Sequence, residues 1–276
     1  MRLDPRTTLA RADLADTRLE GLVRAAGFAG TRPMRCAAPS AALRRSGAEG
    51  AEQLDQLLFG ERFDVLEETG GWALGQAARD GYVGFVHTDA LAASSEAPTH
   101  RVAALRTCGF AEPSLKSPLL GLYSLNALVC AGETAKGFVR AGEAGWIWAG
   151  HLAPVGVFET DPAAVAERFL CAPYVWGGRD SLGLDCSGLV QQALYACGRA
   201  CPRDSDQQRA AFRTVERGEL ARGDLVFWNG HVGIMLDGQS LIHANAHHMA
   251  VAIEPLDEAE RRIREAGVEP LGYRRP

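Results

Sequence analysis

Three side chains in the C-terminal half have the types and spacing of nucleophilic catalysis. Cys186 opens the stretch CSGLVQQALYACG, in which Leu189, Val190, Ala193 and Leu194 recur at helical spacing before Gly198, a residue type favoured just past a helix end. A thiol at a helix start faces unpaired backbone N–H groups and the positive end of the helix dipole, which favour its thiolate and can also hold an oxyanion. His231 begins the run HVGIML, and His243 lies in LIHAN, with the Gly-containing turn LDGQS between them. A hairpin sets the two imidazoles side by side. His231 is then the base toward Cys186, and His243 holds its far nitrogen. A lone cysteine at a helix start, or a lone histidine at a strand end, is more often structural. The order Cys, His-x-Gly, His, each among small residues, is what points to chemistry.

These residues need a scaffold, and the chain from about 157 onward supplies one. In DPAAVAERFL, Asp161 is an N-cap and Pro162 the first helical residue. After ARGD the pattern turns to strands: LVFW, HVGIML, SLIHAN and MAVAIE. Two helices followed by an antiparallel run read as α+β. Residues 31–156 differ, with short strand signals broken by Gly and Pro. RFDVLEE alternates Phe63, Val65 and Glu67 on one side, then come GGWALGQA and GYVGFVHTDAL. A similar order recurs in ALVCAGE, AKGFVRAG and AGWIWAGHLAP, a weak repeat of roughly 60 residues. Two small β-barrels are expected, over 31–95 and 96–156. His87 and His151 take corresponding places in the two copies, which suits a structural role. In residues 1–30, Leu14, Leu19, Leu22 and Val23 fall near helical spacing, so a helical arm is expected there.

Composition excludes several classes. The 276 residues suffice for two or three domains, and 47% hydrophobic with 23% charged residues is ordinary globular usage. A net charge of −5 gives no electrostatic reason for a nucleic-acid partner or an anionic membrane. No apolar run has membrane-spanning length, so no membrane insertion is expected. The opening residues MRLDPRTTLARADLADTRLEGLV are charged throughout and lack the apolar stretch of a secretory signal, from which a cytoplasmic location is expected. Seven cysteines at irregular spacing fit reduced thiols. Cys197 and Cys201 have no second pair at zinc spacing, and His247 and His248 fall in a turn after the His243 strand. No metal and no cofactor is expected. The sequence assigns no oligomeric partner.

The blocks PYVWGGRDSLGLDCSGLVQQAL, PRDSDQQ, RGDLVFWNGHVGIML and LIHAN resemble, in order, those of the NlpC/p60 papain-like cysteine peptidases. GERFDVLEETGGWALGQAARDGYVGFVHTDAL and, less closely, AGWIWAGHLAP resemble bacterial SH3 domains. The resemblance implies a papain-like catalytic domain over 157–276, with helices packed on an antiparallel sheet, preceded by two SH3-like barrels. It implies Cys186 as nucleophile, His231 as general base and His243 as the third, orienting residue, where related enzymes have Asn, Gln or Asp. Tyr174 is implied to line the site near the nucleophile and to help bind the oxyanion. The implied activity is hydrolysis of the γ-D-glutamyl–diamino acid bond of murein peptides bearing a free N-terminal L-alanine, in cell-wall peptide recycling. An ammonium at a buried subsite needs acceptors. Asp204 and Ser205 are the implied ones, Ser187 is an implied substrate contact, and Tyr82 an implied cap. Glu61 is read either as an acidic partner of that ammonium or as a solvated carboxylate. Alternatives are a related papain-like amidase or acyltransferase, or an inactive peptide-binding module.

Overall fold

The computed structural model describes residues 3–93 and 96–276. The chain divides into two compact units, Met1–Val155 and Gly156–Pro276.

The C-terminal unit is α+β. Its first helix, α1 (Pro162–Glu167), starts as its sequence predicts: the Asp161 carboxylate accepts from the backbone N–H groups of Ala163 at 2.9 Å and Ala164 at 3.2 Å. A second helix, α2 (Cys186–Ala196), is capped by Asp185 and ends before Gly198, whose φ of 72° belongs to the left-handed region. Every residue of α2 is buried, so it is a core helix rather than a surface one. Its buried amide Gln191 donates to the Cys201 carbonyl at 3.2 Å and to the Tyr195 hydroxyl at 2.9 Å. Helices α3 (Ser205–Ala211) and α4 (Leu256–Glu265) complete the set.

Six strands form one antiparallel sheet: β1 (Arg213–Val215), β2 (Leu225–Trp228), β3 (His231–Met235), β4 (Ser240–Asn245), β5 (Ala250–Pro255) and β6 (Gly272–Arg275). Their order is β1-β6-β2-β3-β4-β5. Strands β2 to β5, consecutive in the sheet, are the four apolar runs of the sequence. The edge strand β1 and the inserted β6 (RTV and GYRR) carry too few apolar residues to announce themselves. Helix α2 packs against β3 and β4, and this packing brings a helix start toward the β3–β4 hairpin.

In the N-terminal unit, residues 32–93 form a seven-stranded antiparallel sheet around Cys36, Leu43, Leu57, Phe63, Val65 and Val86. The alternation of RFDVLEE is interrupted by a register shift between Val65 and Glu67. Phe63, Asp64, Val65 and Leu66 are all buried, because the far face is covered too: Leu66 and Leu74 pack with Leu9. Residues 100–154 build two further sheets, of five and three strands.

One expectation is corrected. Residues 1–30 form no helical arm: among those described, Leu14–Asp16 and Gly27–Ala29 are paired parallel strands, and Thr17–Leu19 is a single 3₁₀ turn. Leu22, counted in the helical stripe, is 68% exposed, while Leu9 and Ala15 are buried. The Asp16 carboxylate takes the Arg18 backbone N–H at 2.8 Å, a local bond that competes with helix formation. Residues 31–95 and 96–156, expected as two barrels, share buried side chains within one compact unit. Leu58 and Phe59, from the first stretch, are buried with Val102, Tyr123, Val129 and Ile147 of the second. The expected boundary falls beside residues 94 and 95, which lie outside the described residues.

Gly188 sits in the first turn of α2, where a Cβ would lie 2.4 Å from the carbonyl oxygen of Gly178. Alanine is favoured over glycine in a helix by about 1 kcal/mol, but backbone cannot retreat from such a contact as a side chain can. Gly188→Ala is therefore expected to lower the urea midpoint of the full chain. A higher midpoint would show that propensity wins.

Candidate active site

Strands β3 and β4 are neighbours, with Ile234 opposite Ile242 and Met235 opposite Leu241. The hairpin brings the two histidines together: His231 Nε2 lies 2.8 Å from His243 Nδ1, with the ring centroids 5.0 Å apart. The Trp228 ring packs 5.6 Å from His231. From α2, the Cys186 thiol reaches the carbonyl oxygen of Gly230 at 3.9 Å, and the backbone N–H of Val232 also faces its sulfur. The thiol thus lies against the backbone on both sides of His231. Because His231 Nε2 is engaged by His243, Nδ1 is the nitrogen left to take a thiol proton.

The resting charges differ from the sequence expectation. Burial first, and then the Asp185 carboxylate, push the Cys186 thiol up to about 12, against the pull of the Val232 and Ser187 N–H groups and of Arg203. Burial also lowers His231 to about 3, helped by His243 and Arg262 and opposed by Glu254. The helix dipole does not prevail, because a fully desolvated thiolate loses more than a helix end returns. Both partners rest neutral. Burial and the neighbouring Cys186 and Asp185 charges raise Tyr174, so its hydroxyl stays protonated and can donate.

The start of α2 is anchored by Asp185. Its Oδ1 accepts from the Gly188 N–H at 2.8 Å and from Arg203 Nη1 at 3.0 Å, and its Oδ2 accepts from the Gly177 N–H at 2.9 Å and from Arg203 Nη2 at 2.6 Å. Arg203 is 1% exposed. It also donates to the Ser187 hydroxyl at 2.7 Å, which in turn donates to Asp185 Oδ1 at 3.2 Å. Gln208 of α3 donates to the Ser187 carbonyl at 3.1 Å.

Cys186, His231 and His243 all fall within the stretch that a family comparison matches. Residues 171–265 match the NlpC/P60 family, and residues 43–91 match the bacterial dipeptidyl-peptidase SH3 domain. The C-terminal unit carries an NlpC/P60 domain. Dipeptidyl-peptidase 6 of Lysinibacillus sphaericus is 30% identical over 109 residues, 39% of this chain and 40% of that protein. The γ-D-glutamyl-L-lysine dipeptidyl-peptidase of Bacillus subtilis is 33% identical over 98 residues, 33% of each chain. The match therefore spans two fifths or less of the length of these curated relatives. A crystal structure of an NlpC/P60 family protein from Bacillus cereus shares the fold with a TM-score of 0.76 at 20% identity, over 88% of this chain and 99% of that one.

Within the NlpC/P60 domain, the other expected residues fall as follows. Tyr174 is half-buried and bonded through its backbone N–H to the Met249 carbonyl at 2.9 Å. Asp204 is the N-cap of α3 and Ser205 its first residue, both partly exposed. Ser187 is corrected: its buried hydroxyl is occupied by Asp185 and Arg203, which makes it a brace of the helix start rather than an open substrate contact. In the N-terminal unit, Tyr82 is buried in the core with Ala77 and Val86. Glu61 is not a solvated carboxylate. It is buried, pairs with Arg79 at 2.6 Å and accepts from the Leu58 N–H at 3.0 Å.

Arg203, Glu254 and Arg262 were not singled out from sequence. Arg203 lies inside PRDSDQQ, and Glu254 ends a strand that reads as ordinary alternation. Among the described residues, His243, His248 and Glu254 offer ligand atoms within 4.8 Å of one another. Each already has a protein partner: His243 Nε2 lies 2.7 Å from Glu254 Oε1, Arg262 pairs with Glu254, and His248 bonds Asn245. No helix among the described residues is long and apolar enough to cross a membrane.

Two outcomes are expected. Arg203→Met leaves Asp185 as an uncompensated buried charge and should cost about 3–5 kcal/mol, read by urea denaturation. Adding Asp185→Asn, which removes that charge and keeps a cap, should restore much of the loss. If the double variant is no more stable than the single one, the pair is not the anchor. Separately, a thiol raised to about 12 stays protonated below that pH. Its alkylation by iodoacetamide should therefore rise about tenfold per pH unit from pH 6 to 9 without levelling. A plateau below pH 7 would instead indicate a resting thiolate–imidazolium pair.

Proposed function

We propose that this chain is a cysteine endopeptidase that hydrolyses the γ-D-glutamyl–diamino acid bond of murein peptides with a free N-terminal L-alanine. The observation that carries this reading is the Cys186 sulfur set against the backbone on both sides of His231, whose far nitrogen meets His243. Similarity to the γ-D-glutamyl-L-lysine dipeptidyl-peptidase of Bacillus subtilis supports the choice of bond.

In the proposed reaction, Cys186 Sγ attacks the scissile carbonyl carbon as its proton passes to His231 Nδ1. Because both groups rest neutral, transfer and attack occur together. The Tyr174 hydroxyl and backbone N–H groups at the start of α2 hold the oxyanion. The C–N bond then breaks, the leaving amine takes the proton from His231, and water hydrolyses the thioester to regenerate the thiol. Asp204, with Ser205, is the proposed acceptor for the L-alanine ammonium. Residues 96–156 are proposed as a second SH3-like barrel, and a cytoplasmic role in trimming free murein peptides is part of the same proposal.

The test is incubation of L-Ala-γ-D-Glu-meso-diaminopimelate with the wild type and Cys186→Ala. Mass spectrometry is expected to find L-Ala-D-Glu with the wild type alone. An uncleaved tripeptide, with soluble peptide released from intact murein, would overturn the reading. Product joined to an acceptor other than water would mark an acyltransferase, and tight peptide binding without turnover a binding module.

A further inference from the structure

We infer that Glu254 is a positioning residue for the active site: acting through His243, it fixes which ring nitrogen of His231 is free to take the Cys186 proton. The inference rests on the reading of Cys186 and His231 as nucleophile and base.

The chain of contacts is continuous. Glu254, near the end of β5, places Oε1 2.7 Å from His243 Nε2, and His243 Nδ1 is 2.8 Å from His231 Nε2. An ionised carboxylate can only accept, so His243 Nε2 must carry the proton. A neutral imidazole has one donor and one acceptor nitrogen, and His243 Nδ1 is then an acceptor. It can only be met by a proton on His231 Nε2. That leaves His231 Nδ1 as the lone pair facing the thiol, the tautomer a general base requires. His243 is fully buried and the Glu254 side chain is 11% exposed, so little water is present to blur the direction of these bonds.

The charged neighbours of Glu254 keep it ionised. Burial opposes its charge, but the His243 hydrogen bond, His243 itself, Arg262 and His248 together hold its carboxyl below the ordinary range. Arg262, from α4, pairs with the same oxygen. It also determines what happens when the carboxylate is removed. A guanidinium can only donate, and without Glu254 it is the charged group left beside His243 Nε2. The proton of His243 would then move to Nδ1, that of His231 to Nδ1, and the base would face the thiol with an N–H. The wrong tautomer disables a catalytic imidazole even where its position is unchanged. In Glu254→Gln, by contrast, Arg262 holds the amide oxygen where Oε1 stood, and that oxygen still accepts from His243.

The experiment measures the ¹⁵N chemical shifts of the His231 and His243 rings in the full chain, together with kcat and KM on the tripeptide, for wild type, Glu254→Ala and Glu254→Gln. Expected in Glu254→Ala are exchange of the protonated nitrogen on both rings and a fall in kcat of about 10²-fold or more, with KM little changed. Expected in Glu254→Gln are the wild-type tautomers and a smaller loss. Wild-type ring shifts in a folded Glu254→Ala overturn the inference whatever the rate does, since a merely structural role would lower the rate without moving the proton. Altered tautomers with an unchanged kcat overturn it as well. A wild type that does not cleave the tripeptide bears on the proposed substrate alone, and the ring shifts still decide the role of Glu254.

Discussion

The buried carboxylate of Asp185 is the constraint on which the C-terminal unit depends. It caps α2, accepts from the Gly177 N–H of the preceding turn, and is matched in charge by Arg203. A carboxylate this deep is tolerated only when paired and fully hydrogen-bonded. That requirement ties three separated segments, around residues 177, 185 and 203, into one geometry. Cys186 is the next residue along the chain, so its place is a consequence of this anchor. The same carboxylate disfavours a charge on the neighbouring sulfur. Precise placement of the thiol and easy ionisation of the thiol are thus in opposition, and in the resting site placement wins.

The histidine pair is arranged by a second set of constraints, from the sheet. Adjacent antiparallel strands set His231 beside His243, and the next strand supplies Glu254 to the other side of His243. Each group in this line presents to the next the only hydrogen-bonding partner it can use. Directional hydrogen bonds in a dry interior do here what charge attraction does in an exposed ion pair.

The N-terminal unit follows a plainer logic. Short strands bury apolar residues on both faces of the first sheet: on one side around Phe63 and Val65, on the other against Leu9. Leu58 and Phe59 join the core of the following strands. A small barrel buries a limited fraction of its apolar surface when alone, and sharing these two side chains joins what its repeat pattern presents as separate copies.

By itself the sequence determined the α+β character of the C-terminal unit, the helix starting at Cys186 and the pairing of His231 with His243. Each of these is local: a cap followed by helical periodicity, or two alternating runs about one turn. Only the tertiary structure decided the rest. Arg203 is eighteen residues from its partner and Glu254 eleven from His243, and no periodicity links a side chain to a partner across a fold. Burial opposes the thiolate that a helix start favours, and a helix start is visible in the residues whereas the depth at which it is buried is not. The expected helical arm failed for a related reason. Its spacing fitted a helix, but which leucines are buried depends on the sheet they meet, and that sheet accepted Leu9 and left Leu22 in water.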